Sequence, residues 1–248
     1  MNWFEQLKAD FILNFIEGDR WQFIVTGLKN TLVITLFALI IGVALGALVA
    51  IVRSTYDKTY GDMRPGFKKT VFSFFNGVCN LYLTVIRGTP VVVQLMIMYY
   101  IIFASSRNSL LVAILSFGIN SGAYVAEIIR SGIMSVDNGQ FEAGRSLGFD
   151  YKRTMLYVII PQAVKNVLPA LANEFIVLLK ETSVAGYVTI RDLTMGGNII
   201  RAATYSPFLP LIAVAIIYLV LVIVFTKLVG ILERRLRQND RDSSNRHH

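Results

Sequence analysis

Residues 32–52 run for twenty-one positions without a charged side chain. Coiled as a helix at about 1.5 Å per residue, such a run covers the roughly 30 Å hydrocarbon core of a bilayer. Residues 207–226 repeat the pattern, and the uncharged stretch 91–106 continues an apolar region that begins at Val71. Runs this long exceed what a soluble core buries. The composition agrees, because 54% of the 248 residues are hydrophobic and only 16% are charged. The expectation is an all-α polytopic membrane protein.

Much chemistry is ruled out by residue usage. Cys79 is the single cysteine, which excludes disulfides within the chain and cysteine metal clusters. The only histidines, His247 and His248, form a terminal pair that reads as the remnant of a purification tag. Without them no histidine is left for a general base, a proton relay or a metal site, so neither a catalytic residue nor a metal site is expected. Glu5, Asp10, Glu17 and Asp19 interrupt the first twenty residues, which therefore do not read as a signal peptide. The sequence has no G-x-x-x-x-G-K-[ST] loop, so it carries no phosphate cradle of its own for ATP.

Five spans are expected, at about 20–53, 70–104, 109–135, 161–181 and 206–233, within one transmembrane domain covering 1–248. An odd number of spans puts the termini on opposite sides. One side then collects the 53–70 loop, the 130–165 segment and the chain from Lys227, which hold sixteen of the twenty-four Lys and Arg residues. Basic residues concentrate on the cytoplasmic side of inner-membrane proteins. The N-terminus is thus expected outside and the C-terminus inside, with a cytoplasmic loop at 136–160 and a basic cytoplasmic tail at 234–248. The net charge of +8 follows from this asymmetry and points to anionic lipid, with no sign of nucleic-acid binding. The second span is too long for one straight helix, and Arg87-Gly88-Thr89-Pro90 in its middle predicts a break near Arg87.

Three faces stand out within the spans. Ala38, Gly42, Gly46 and Ala50 recur every four residues, a stripe that lets another helix approach closely. Asn120, Ala123, Tyr124, Glu127, Arg130 and Ser131 fall along one side of the third span, and Asn166, Ala170, Asn173, Glu174, Val177 and Glu181 along one side of the fourth. A carboxylate within a span costs about 2.5–3.5 kcal/mol facing lipid, so Glu127 and Glu174 should face protein or a wet cavity. Glu127 has the plain alternative of pairing with Arg130, three residues on, and Glu174 that of an interhelix anchor. Pro169 is expected to kink the fourth span. Residues 182–205 are too polar to span and read equally as a short external helix or as a plain loop. Together the seams suggest a polar pathway with Asn120, Tyr124, Glu127, Asn173, Glu174, Glu181 and Arg87 as candidates to line it.

The cytoplasmic loop carries the sharpest motif. Glu142-Ala143-Gly144 is followed by Gly148 and, after nine intervening residues, by Val158-x-Ile160-Pro161. This resembles the E-A-A-x3-G-x9-I-x-L-P motif of permease subunits of bacterial ATP-binding-cassette importers, with Gly144, Val158 and Ile160 as departures. Thr26-Gly27 through Thr31-Leu32, Arg87-Gly88-Thr89-Pro90, the stretch 121–130, and Asn173-Glu174-Phe175 with 179–183 are similar to the polar amino acid permeases of the histidine/arginine/lysine/glutamine branch.

The resemblance implies a type I importer permease fold in a bacterial cytoplasmic membrane. It implies that the loop is a coupling helix docking on a separate ATPase subunit, with Glu142, Ala143, Gly144, Arg145 and Gly148 in the docking segment. ATP and Mg would be bound by that partner, with no cofactor in this chain. A second permease subunit, identical or homologous, and an external solute-binding protein complete the implied assembly. The solute would be an amino acid, with the carboxylates leaning towards arginine, lysine or histidine ahead of glutamine or glutamate. An ion-gradient transporter or channel is the competing reading, and a membrane scaffold without a pathway the third.

Overall fold

The computed structural model describes residues 2–61 and 63–245, with side chains as far as Leu236. The terminal pair His247 and His248, Arg246 and the side chains of the basic tail beyond Leu236 lie outside the described residues. The helices are α1 (Trp3–Phe11), α2 (Trp21–Thr59), α3 (Phe67–Gly88), α4 (Val91–Ile97), α5 (Ser109–Met134), α6 (Asn138–Ser146), α7 (Tyr151–Thr154), α8 (Ile160–Glu181), α9 (Leu193–Thr204) and α10 (Phe208–Asn245). All regular structure among the described residues is helical. Among the described residues, four stretches are long and apolar enough to cross a membrane: Trp21–Thr59, Ser109–Met134, Tyr151–Val188 and Phe208–Leu236. The bent pair made by α3 and Val91–Ile102 raises the number to five if it is one span.

The breaks have local causes. The interruption expected near Arg87 falls at Thr89 and Pro90, both extended, with ψ of 147° and 135°. A proline disfavours the helical region for the residue before it, so Thr89 cannot continue α3, and Pro90 then starts α4 where its missing amide costs nothing. Ahead of Pro161 the chain forms a π turn over Met155–Ile159, with the Ile160 amide bonding to the Met155 carbonyl. The proline has no amide to offer the Tyr157 carbonyl, and widening the turn is the usual relief. Pro169 lies inside α8, which continues to Glu181.

The chain divides into two compact units. One gathers the chain up to Leu39, Pro90–Gly118 and Phe175–Thr226. Its core is built from Ile34, Ala38, Leu95, Phe117, Leu178 and Val188, with a second cluster of Ile24, Leu193, Ile200 and Val214. Residues 182–205, read equally as helix or loop, form a 3-10 segment (Thr182–Val188) and then α9. Asp192 is buried and caps α9, its carboxylate accepting from the Thr194 and Met195 amides at 3.0 and 3.1 Å. The Leu193 amide donates to Thr31 Oγ1 at 3.1 Å. A Cβ at Gly27 would meet the Asp192 carbonyl oxygen at 2.5 Å, and one at Gly196 the Phe23 carbonyl oxygen at the same distance. Only glycines let α9 lie this close to the first half of α2.

The other unit gathers Ile40–Thr89, Ile119–Glu174 and the chain from Lys227. Here the small-residue stripe meets α5: a Cβ on Gly46 would stand 2.7 Å from Val125 Cγ1 and 2.8 Å from the Ala126 amide nitrogen. Close approach seats Val49, Leu83, Ala123 and Ala126 in one cluster. A second cluster of Ile133, Val136, Ile159 and Ala163 receives Phe141 of α6. Tyr82 fastens α3 to α5 through a 2.6 Å bond from its hydroxyl to the Ile119 carbonyl.

Candidate functional site: a charged cleft and an exposed loop helix

Within this second unit, α3, α5 and α8 enclose a cleft of about 660 Å³. Arg87 at the end of α3, Tyr124, Glu127 and Ser131 on α5, and Asn166 and Glu174 on α8 supply its polar lining. The cleft-facing side of α5 continues through Ile128 and Gly132, one position round from the expected face, and Ser135 just past the helix end joins the lining. Asn120 and Ala123 from the expected seam are instead buried, Ala123 against Val49 and Leu83. Asn173 is exposed and does not line the cleft, and Glu181 belongs to the other unit.

Charge in the cleft is arranged as a row. Arg130 Nη1 stands 3.4 Å from Asp57 Oδ2 at the end of α2. The same guanidinium donates to Glu127 through Nη2 at 2.9 Å and Nε at 3.4 Å. Arg87 Nη1 lies 3.8 Å from Glu127 Oε2, the oxygen that Arg130 Nε also reaches, and its guanidinium sits 5.8 Å from the Tyr124 ring centre. Glu127 is therefore shared by two arginines, more than the pairing with Arg130 that its spacing suggested. Glu174, on the α8 wall, is buried and accepts a 2.8 Å bond from Ser121 Oγ. Arg87 is the cation with the more exposed side chain, 44% against 28% for Arg130. One cation, Arg87, and two carboxylates, Glu127 and Glu174, thus line a cavity between helices. Such a cavity suits a small zwitterion, whose ammonium seeks a carboxylate and whose carboxylate seeks a guanidinium. Among the described residues, no group of three or more His, Cys, Asp or Glu side chains is placed to hold a metal ion.

The motif loop folds as a helix–turn–helix in the same unit. Asp137 caps α6 by accepting from the Gly139 amide at 2.6 Å. The helix ends on Gly148, whose φ of +77° lies in the left-handed region that favours glycine, and the Phe149 amide closes the turn on the Gly144 carbonyl at 3.0 Å. Asp150 then caps α7 through the Arg153 amide at 2.8 Å. Glu142, Ala143, Arg145 and Leu147 are exposed, Leu147 by 74%, whereas Gly144 faces inward. A Cβ at Gly144 would meet Thr154 Cγ2 at 2.7 Å, so the glycine in place of the motif's second alanine has a packing reason. Gly144→Ala is expected to destabilise the subunit by about 1–3 kcal/mol through overpacking. Thermal denaturation in detergent checks this, and adding Thr154→Ala should recover most of the loss.

Asp57 and Ser121 escaped notice as cleft partners. Asp57 sits in what reads as a loop, because α2 continues past the last apolar residue to Thr59. Its position four residues after Arg53 was the available signal. Ser121 was visible only as part of the 121–130 motif.

The comparisons with known proteins settle the class. The family described as the binding-protein-dependent transport system inner membrane component matches residues 69–238. The chain belongs to that family. The arginine transport system permease protein ArtQ of Bacillus subtilis (strain 168) is 36% identical over 221 residues, covering 88% of this chain and 94% of the relative. The glutamine transport system permease protein GlnP of Escherichia coli (strain K12) is 34% identical over 218 residues, covering 86% and 93%. A crystal structure of an amino acid ABC transporter with histidines superposes with a TM-score of 0.76 at 38% identity, over 95% of this chain and 99% of that one. The permease is thus a multi-pass inner-membrane component with the type I ABC permease fold, and a non-catalytic subunit of a transport system.

Proposed function

We propose that this permease forms half of the pathway of an ATP-driven amino acid importer, the whole chain acting as one transmembrane domain. The single observation that carries the reading is the cleft with Arg87, Glu127 and Glu174 in its lining, charges of both signs among apolar helices. Arg87, Tyr124, Glu127 and Glu174 contact or shape the substrate site. Asn120, Asn173 and Glu181 line the pathway outside the cleft. The substrate is a basic amino acid first and glutamine or glutamate second. The carboxylates of Glu127 and Glu174 in the lining and the relative named for arginine support that order, and the relative named for glutamine supports the runner-up.

Glu142, Ala143, Gly144, Arg145 and Gly148 form the coupling segment, docking on a cytoplasmic ATPase subunit that binds ATP and Mg. A second permease subunit, identical or homologous, completes the pathway, and an extracytoplasmic binding protein delivers the solute. The N-terminus faces outward and the C-terminus inward, as the distribution of basic residues supports. ATP binding draws the coupling helices together and opens the cleft outward; hydrolysis resets it. The test is ATP hydrolysis by the reconstituted assembly, with binding protein and a panel of amino acids. Stimulation by arginine, lysine or histidine above the other amino acids is expected, and indifference to every amino acid would overturn the reading.

A further inference from the structure

The last turns of α2 reach three other helices of the same unit. Arg53 Nη1 donates to Asn80 Oδ1 on α3 at 2.5 Å. Asp57 holds Arg130 on α5 at 3.4 Å. Lys58 Nζ donates to Asn138 Oδ1 on α6 at 2.9 Å and lies 4.6 Å from the centre of the Phe141 ring. Tyr56 stacks on Tyr60 with ring centres 4.3 Å apart, which adds a ring contact along this end of the helix.

Asp57 and Lys58 are chain neighbours on one continuous helix. Through Lys58 that helix grips the docking segment four residues before Glu142, and through Asp57 it grips the guanidinium that binds Glu127 in the cleft wall. The covalent route between the same two places is not one continuous helix. It leaves α6 and passes through the non-helical residues 135–137 before it reaches α5. The end of α2 adds an unbroken helical path between them.

We propose that residues 53–58 of α2 are a transmission arm, a second link that carries movement of the docking helix to the Arg130–Glu127 pair. Asp57 and Lys58 are positioning residues in this scheme: neither touches solute or nucleotide. The inference rests on the transport reading above.

The test uses the full assembly with its ATPase and binding protein, reading ATP hydrolysed per amino acid transported. Lys58→Met removes both the bond to Asn138 and the cation over Phe141, and Asp57→Asn weakens the hold on Arg130. Each is expected to raise the ratio at least fivefold with the ATPase still bound, whereas Lys58→Arg and the exposed control Lys68→Met stay within twofold of the unsubstituted protein. Lys58→Met combined with Asn138→Ala should be no worse than the worse single change, because both break one contact. Unchanged ratios in Lys58→Met and Asp57→Asn would overturn the arm, as would loss of the ATPase from both variants. An unsubstituted assembly that hydrolyses ATP without moving any amino acid would instead bring down the transport reading, and the arm with it.

Discussion

Uptake by the assembled transporter should fall roughly 30-fold or more when Glu174 becomes glutamine. The change removes the charge and keeps an oxygen where Ser121 donates at 2.8 Å. If Glu174 only anchors α8 to α5, that bond suffices and transport persists. If it receives the solute's cationic group, a buried charge-assisted contact is lost, worth about 2 kcal/mol or more, which is the stated fold-change. Labelled amino acid uptake into proteoliposomes reads the outcome. Glu174→Asp, with a shorter carboxylate, should fall between the two. Wild-type uptake by the glutamine variant would return Glu174 to a structural role and move the substrate site elsewhere.

The second large effect concerns Asp192, outside the spanning segments. Burial raises its carboxyl to about 6, against the pull of the Met195 and Thr194 amides that favour the charged form. Its ordinary value is about 3.9. The folded state therefore binds the proton more tightly than the unfolded chain, and the stabilisation from that proton is full below about pH 4. It is lost as pH rises through about 6, a swing on the order of 2–3 kcal/mol. Thermal denaturation of the purified subunit should show wild type losing stability between pH 4 and pH 6. Asp192→Asn keeps an acceptor for the α9 amides and has no proton to lose, so its profile over that window should be flatter. Asp192→Ala leaves two amides unsatisfied in a buried place and should cost about 1–3 kcal/mol at any pH. Parallel profiles for wild type and the asparagine variant would contradict this account of Asp192.

Much of this architecture is legible in the sequence, and the limits have physical causes. Uncharged runs at 32–52 and 207–226 announce helices, because length and apolarity alone decide whether a segment suits a bilayer. The break after Arg87 is legible because proline acts on its own neighbour, yet its place shifts to Thr89–Pro90 since the restriction falls on the residue before the ring. The cleft was half visible. Periodicity put Tyr124 and Glu127 on one face, but a rotation of α5 brought Ile128 and Gly132 into the lining and turned Ala123 into the core, while Asn120, a turn before Tyr124 on the same side, is buried. Rotation about a helix axis depends on what packs opposite, here Gly46 and Gly42 of α2, and no single helix encodes it. Asp57 stayed hidden for a related reason: its partner Arg130 lies seventy-three residues away. Gly144 reads from the sequence only as a departure from the motif, and Thr154 packed against it supplies the reason.

The central claim is that ATP, acting through the α6 segment, drives an amino acid through this permease. It is tested most directly by uptake of a labelled basic amino acid into proteoliposomes holding the complete assembly and binding protein, with ion gradients collapsed by ionophores and ATP supplied or withheld. The account predicts accumulation that requires ATP, persists without any ion gradient, and is lost in a Glu142→Ala, Gly148→Val double variant. Accumulation that follows an imposed ion gradient in the absence of ATP would contradict it.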